Sequence, residues 1–308
     1  MKLDSHPARD DRELRRACDD TAMGRWEAAR DLLRVTGRDW DRRVFRLHAL
    51  AYGAVGLRWA ETWADTEPHN PDALAMLAHV EAVRSILRSP DASGGAANGA
   101  MERAWHACQR AADAYDADPS PWVVMMALLR VHRPDLQLLM RIWKEVQARD
   151  PYNLEAHHEL VTYAFERNHG SNAQMHNWAR DLAFAAPKGS AASVVLLVAH
   201  AETYRVQLEQ DARTHSVSVH AWMDRPEIDF VLDAWWRRRP PQSHGRFMDD
   251  ANYLAHTLCH AARHEEAFEV FNAIGPYAAR LPWAYGGDAA ELFLRHRRWA
   301  SGAAHSHR

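Results

Sequence analysis

The chain has 308 residues and a net charge of −3, with 38 lysines and arginines set against 41 aspartates and glutamates. That balance excludes the basic face a nucleic-acid binder needs, and 47% hydrophobic with 26% charged residues excludes wholesale disorder. Three widely spaced cysteines, Cys18, Cys108 and Cys259, fit a reducing compartment better than a disulfide framework.

The opening "MKLDSHPARDDRELRR" lacks the apolar core of a signal peptide, and "SVVLLVA" (Ser193–Ala199) is too short to span a bilayer. A cytoplasmic protein with no membrane attachment is expected. Alanine, leucine, arginine and glutamate dominate, and no long alternating β-branched run occurs, so every element is predicted to be helical. In chain order the predicted helices cover 10–22, 25–36, 40–53, 57–66 and 71–88. They continue over 100–116, 121–132, 135–149, 154–167, 172–186 and 191–210, then 226–238, 246–262, 265–274 and 287–299. "SPDASGGAANGA" (Ser89–Ala100) reads as an inserted flexible loop.

Three segments run from a tryptophan to a proline: Trp59–Pro68, Trp143–Pro151 and Trp178–Pro187. Each is followed by a residue suited to cap a new helix, Asn70, Asn153 and Ser190 respectively. "DADPSPW" around Pro119 makes a fourth such junction, and Pro119, Pro151 and Pro187 are spaced 32 and 36 residues apart. That period belongs to helix–turn–helix repeats. The expectation is an all-α, right-handed α-solenoid of antiparallel helix pairs. Its expected parts are an array over 1–210, a hinge or cap over 211–243 and a C-terminal unit over 244–308.

Ala251, Leu254, Ala255 and Leu258, followed by "RHEEAFEVF" with Ala267 and Phe271 four apart, resemble the tetratricopeptide repeat. "GRWEAARDLL" (Gly24–Leu33) looks like the second helix of another such unit. Ala251 and Leu258 stand where that repeat usually has Trp and Tyr. Separately, "HGSNAQMHNWARDLAFAAPKGS" (His169–Ser190) resembles the signature of an uncharacterised bacterial family of repeat-like proteins, with His169 and Trp178 departing from its pattern. That family supplies no activity to carry over. The same stretch is also explained locally, by capping-box spacing at Ser171 and Gln174.

On a helical wheel, Phe247, Ala251, Leu254 and Leu258 share one face, and the polar residues share the other. The tetratricopeptide resemblance implies that Asp249, Asn252, His256, Cys259 and His260 line a concave binding groove. His256 and His260, at i and i+4, are also the best-placed pair for a metal, but no Cys-x-x-Cys or His-Glu-x-x-His completes a ligand set. No metal and no cofactor is therefore assigned.

His157 falls in the apolar arc of its helix and is expected to be a hydrogen-bonded core histidine. "AHVEA" (Ala78–Ala82) and "AHAET" (Ala199–Thr203) repeat His-x-Glu, whose two members face different sides of a helix. The repetition is read as an echo of the architecture. Trp59, Trp143 and Trp178 are assigned to packing between helices. Trp235 and Trp236, about 100° apart on one helix, cannot both be equally buried. They and Trp283, in a predicted loop, are candidates for exposed aromatic contacts.

Phosphate-binding, dinucleotide-binding and nucleophile-elbow motifs are absent from the sequence. The expected function is a non-enzymatic adaptor that binds a peptide or protein in its groove. Two alternatives stay open. One is an enzyme or small-molecule binder, with or without a metal, that uses the histidines. The other is a structural subunit or homo-oligomer whose tryptophans mark the interface.

Overall fold

The computed structural model describes residues 2–88, 94–132, 135–214 and 225–306. Among them fifteen α-helices and three short 3-10 turns account for all the regular structure, and no strand is present. The helices are α1 (Arg12–Ala22), α2 (Glu27–Thr36), α3 (Trp40–Ala54), α4 (Trp59–Thr66), α5 (Pro71–Arg88), α6 (Gly94–Ala114), α7 (Ser120–His132) and α8 (Leu136–Arg149). They continue with α9 (Leu154–Tyr163), α10 (Asn172–Ala185), α11 (Val195–Thr214), α12 (Pro226–Ala234), α13 (Phe247–His260), α14 (His264–Ile274) and α15 (Ala289–Ser306).

Local chemistry sets most of these boundaries. The three predicted caps all work: Asn70 Oδ1 accepts from Asp72 N at 2.8 Å, Asn153 Oδ1 from Ala156 N at 3.1 Å, and Ser190 Oγ from Ala192 N at 3.2 Å. Asp11, Asp135 and Ser171 do the same for α1, α8 and α10. Each satisfies a first-turn N–H that has no partner within its own helix. Gly37 (φ 56°) and Gly275 (φ 61°) end α2 and α14 in the left-handed region that favours glycine.

The chain divides into two compact units, with the division near residues 164–170. One unit is Asp11–Tyr163 with Arg167–His169; the other is Met1–Asp10, Ala164–Glu166 and Gly170–Arg308.

In the first unit α1 packs on α3, α3 on α5, α5 on α7 and α7 on α9, while α2, α6 and α8 each pack against both chain neighbours and α4 packs against α5. Helix α3 also touches α7 and α9, because the N-terminal ends of these helices converge on it. Arg43 of α3 is 1% exposed and lies 2.8 Å from both Asp72, in the first turn of α5, and Asp118, just before α7. Asp118 also accepts from Ser120 N, and Asp41 accepts from Leu154 N at the start of α9, both at 2.8 Å. Carboxylates thus sit at the positive ends of three helices, with one buried guanidinium between two of them.

In the second unit α10 packs on α11, α11 on α12 and α13, α13 on α14 and α15, and α14 on α15. Its core holds Trp235, Phe271, Trp283 and Phe293, with Trp283 stacked on Phe271 at 5.9 Å and edge-on to Phe293 at 5.6 Å.

One expected irregular segment is more ordered than foreseen, and the helix expected over 226–238 forms within the other. Helix α6 starts at Gly94, so most of the predicted Ser89–Ala100 loop is helical; 89–93 lie outside the described residues. Within the expected hinge over 211–243, residues 215–224 lie outside the described residues. The rest includes α12, which buries Ile228, Val231 and Leu232.

Three helices carry a buried histidine two positions before a glutamate that an arginine binds. His79 precedes Glu81, paired with Arg84 at 2.7 Å; His157 precedes Glu159, paired with Arg130 at 2.7 Å; His200 precedes Glu202, paired with Arg205 at 2.8 Å. His79 and His157 turn Nδ1 toward the carbonyl four residues back, of Ala75 and Asn153 respectively. Histidine and glutamate never pair with each other inside the motif, as their helical offset predicts.

Candidate functional site

The stripe expected to line an open groove on α13 is closed. Asn252 is 0% exposed, His256 2% and Cys259 7%. Asn252 donates to Met248 O (2.7 Å) and Tyr277 O (3.0 Å), and its Oδ1 accepts from Trp283 Nε1 at 2.8 Å. Asp249, nearer the surface, pairs with Arg9 at 2.9 Å. The reason is two-sided packing: the turn around Trp283 and helix α15 cover the polar face of α13, which a single-helix wheel assigns to solvent.

The tryptophan expectations fail in the same direction. Trp283 is 1% exposed and holds Asn252, so it is a core residue. Trp235 and Trp236 are both buried, 0% and 5% exposed, with their rings edge-to-face at 5.7 Å. Helix α12 ends at Ala234 and Trp236–Arg238 form a 3-10 turn, so the α-helical angle that would separate the two rings does not apply. Arg239 covers the Trp236 ring, with its guanidinium carbon 3.7 Å from the centroid.

The histidines of α13 do come together with others, in an aromatic cluster. The His256 and His260 rings are 4.4 Å apart, His260 is 5.4 Å from His296 on α15, and Tyr204 on α11 lies 4.7 Å from His260. Trp283 is 5.2 Å from His256 and 5.5 Å from His296. Burial, and then the neighbouring His260 and His296, push the pKa of His256 well below the usual histidine value. Burial and Arg295 push His296 down to about 4. His256 and His296 are therefore neutral at pH 7. Burial raises the Cys259 thiol to about 12, which makes it a poor ligand and nucleophile. Among the described residues no group of three or more His, Cys, Asp or Glu side chains is arranged to hold a metal ion.

An accessible site lies elsewhere in the same unit, where α10 packs on α11. A cavity of about 210 Å³ opens there, with Met175 of α10 and Val206 of α11 among its apolar walls. Its polar lining is Glu166, Asn172, Glu202, Thr203, Gln207 and Gln210. Ser171 caps α10 and so fixes the first turn that carries Asn172.

His176 contacts one residue of this lining, Thr203. Its Nε2 lies 2.9 Å from the Thr203 hydroxyl, which also reaches Ala199 O (3.0 Å) and Asn172 Oδ1 (3.1 Å). The network is satisfied when Nε2–H donates to Thr203 and the hydroxyl proton goes on to one of the two oxygens. In that arrangement His176 is not poised to deprotonate the hydroxyl. Backbone N–H groups around Thr203 are spent inside α11, so an oxyanion would find no backbone donors there. The geometry suits binding rather than acyl transfer.

Sequence reasoning singled out both segments of this site, His169–Ser190 and Ala199–Thr203, without joining them. Asn172 and His176, at i and i+4, were the available signal for a shared polar face. No protein-family model matches the chain, and no curated protein or solved structure is significantly similar to it.

Proposed function

We propose that the chain is a tetratricopeptide-like α-solenoid that works as a non-enzymatic adaptor, holding a peptide or protein partner with the α10–α11 cavity as one point of contact. The observation that carries this reading is the packing order of Asp11–Tyr163, in which each odd-numbered helix meets the next odd-numbered helix and its own chain neighbour. Stacked helix pairs pack in this way and leave one helix layer to face a ligand. The recurrence of His-x-Glu with an arginine partner on α5, α9 and α11 supports it. So does the position of the cavity, which offers fixed polar groups on helices rather than on a loop.

The contact point differs from the one the sequence favoured. His256 and Cys259 are enclosed by packing, so recognition is assigned to Asn172, Thr203 and Gln207, which border the cavity.

Recovery of one defined partner on immobilised full-length protein, abolished by Gln207→Trp with an unchanged circular dichroism spectrum, is the expected result. A partner retained by the filled-cavity variant would remove the cavity from the interface. The rival reading, a metal-dependent enzyme or small-molecule binder, predicts a stoichiometric metal in gel-filtered protein that is lost in His256→Ala/His260→Ala.

A further inference from the structure

We propose that the α10–α11 cavity binds a single cationic group, an alkylammonium or a guanidinium on an apolar stem. The proposal rests on the adaptor reading only for the source of that group, a basic side chain of the partner.

Size comes first. At about 210 Å³ the cavity is smaller than the roughly 300–1,000 Å³ that drug-sized ligands occupy, and it suits one extended side chain. Its walls are divided as such a side chain is divided. Met175 and Val206 supply apolar surface for a methylene stem. The polar lining offers carboxylate, amide and hydroxyl oxygens, and neither lysine nor arginine contributes to it.

Charge then decides the sign. Glu166 and Glu202 both line the space. Arg205 binds Glu202 through one oxygen, Oε1, at 3.0 and 2.8 Å, and its other guanidinium nitrogen turns away to Glu209. Glu166 accepts a long 3.3 Å bond from Asn172 N and sits exposed at the mouth. His176 contributes no positive charge at pH 7, since burial and then Arg225 and Arg180 lower its pKa. Arg205 already offsets the Glu202 charge, so the exposed Glu166 carboxylate at the mouth sets the sign: it would repel an anion and attract a cation in this partly enclosed space. Gln207 and Gln210, one helical turn apart on α11, can turn amide oxygens toward it.

The test is calorimetric titration of the full chain with three probes: Nα-acetyl-arginine amide, its neutral isostere Nα-acetyl-citrulline amide, and spermidine. The arginine probe is expected to bind in the millimolar range, about tenfold more tightly than citrulline. Glu166→Gln, at an exposed position that leaves the fold intact by circular dichroism, is expected to weaken it about fivefold, and added salt to weaken it further. Equal affinity for citrulline, no heat with either cation, or an affinity that Glu166→Gln leaves unchanged would overturn the proposal. In a further titration with a fourth probe, acetyl-Gly-Arg-Gly-amide, exclusion of that peptide while spermidine binds would keep the cation site and remove the peptide source. Failure of the cation site leaves partner recovery as a separate measure of the adaptor reading.

Discussion

The His79 ring is buried inside α5 with Nδ1 held 2.9 Å from the carbonyl of Ala75, one turn back along the same helix. Burial pushes this histidine and His157 down to about 4, and holds His256 well below the ordinary histidine value. Unfolded histidines titrate near 6.5, so between about pH 6.5 and 4 the unfolded chain takes up protons that the folded chain refuses. Stabilisation from neutral burial is therefore complete above pH 6.5 and drains away as the pH falls toward 4. For His79 alone the loss at pH 5 relative to pH 7.5 is on the order of 2 kcal/mol. Urea midpoints should fall over this range, and His79→Leu should flatten the dependence by about one proton. A midpoint that stays constant from pH 7.5 to 5 would show that these rings are not held neutral.

Arg43 is the buried cation shared by Asp72 and Asp118 at the converging helix ends. Arg43→Ala leaves Asp118, itself 1% exposed, with an uncompensated charge, and truncations of this kind cost about 3–5 kcal/mol. Adding Asp118→Asn to that variant should recover part of the loss, because the orphaned carboxylate is then gone. Additive losses in the double-mutant cycle would mean that the two side chains do not act as a pair.

Gly170 and Gly53 predict opposite signs for the same substitution. A Cβ on Gly170 would stand 2.3 Å from the carbonyl oxygen of Ala164, a backbone atom that cannot swing aside. Gly170→Ala should destabilise by about 2 kcal/mol or more. Gly53 lies exposed in α3 with nothing within 4 Å of its would-be Cβ, so Gly53→Ala should stabilise by about 0.5 kcal/mol through helix propensity. Thermal midpoints moving in the same direction for both would refute the turn geometry at Gly170.

The features legible in the sequence are those that local chemistry decides. Asn70, Asn153 and Ser190 were readable as caps because a cap needs only its own next three residues. The offset of histidine from glutamate in His79-x-Glu81 and His200-x-Glu202 was readable from helical geometry alone. Non-local packing was not. A wheel drawn for α13 could not know that α15 and Trp283 would cover the side bearing Asn252 and His256. The 100° argument for Trp235 and Trp236 failed because α12 stops at Ala234, and nothing in "DAWWRRRPP" fixes that stop before the prolines. Helix α6 was read from residue 100 because Gly94, Gly95 and Gly99 are weak helix formers, yet α6 runs from Gly94 and packs against α5 and α7. The α10–α11 cavity joins Asn172 to Thr203 across 31 positions, a distance that periodicity does not reach.

The cysteines give the last prediction, because their burial differs while their chemistry is the same. Cys108 is 0% exposed and Cys259 7%, whereas Cys18 is half-buried near the surface of α1. Burial raises all three thiols, Cys18 to about 11 with help from Asp19 and Asp11, and Cys259 to about 12. The thiolate is the reactive form, so at pH 8 even Cys18 carries roughly a hundredfold less of it than an ordinary cysteine. Iodoacetamide at pH 8 should therefore label the native chain slowly and at Cys18 first, as read by peptide mass spectrometry. Cys108 and Cys259 should react only through opening of their helices. In denaturant the three should react at similar rates. Rapid native labelling of Cys259 would mean that the cover formed by α15 and Trp283 opens readily, and would return the α13 stripe to the surface as a site in its own right.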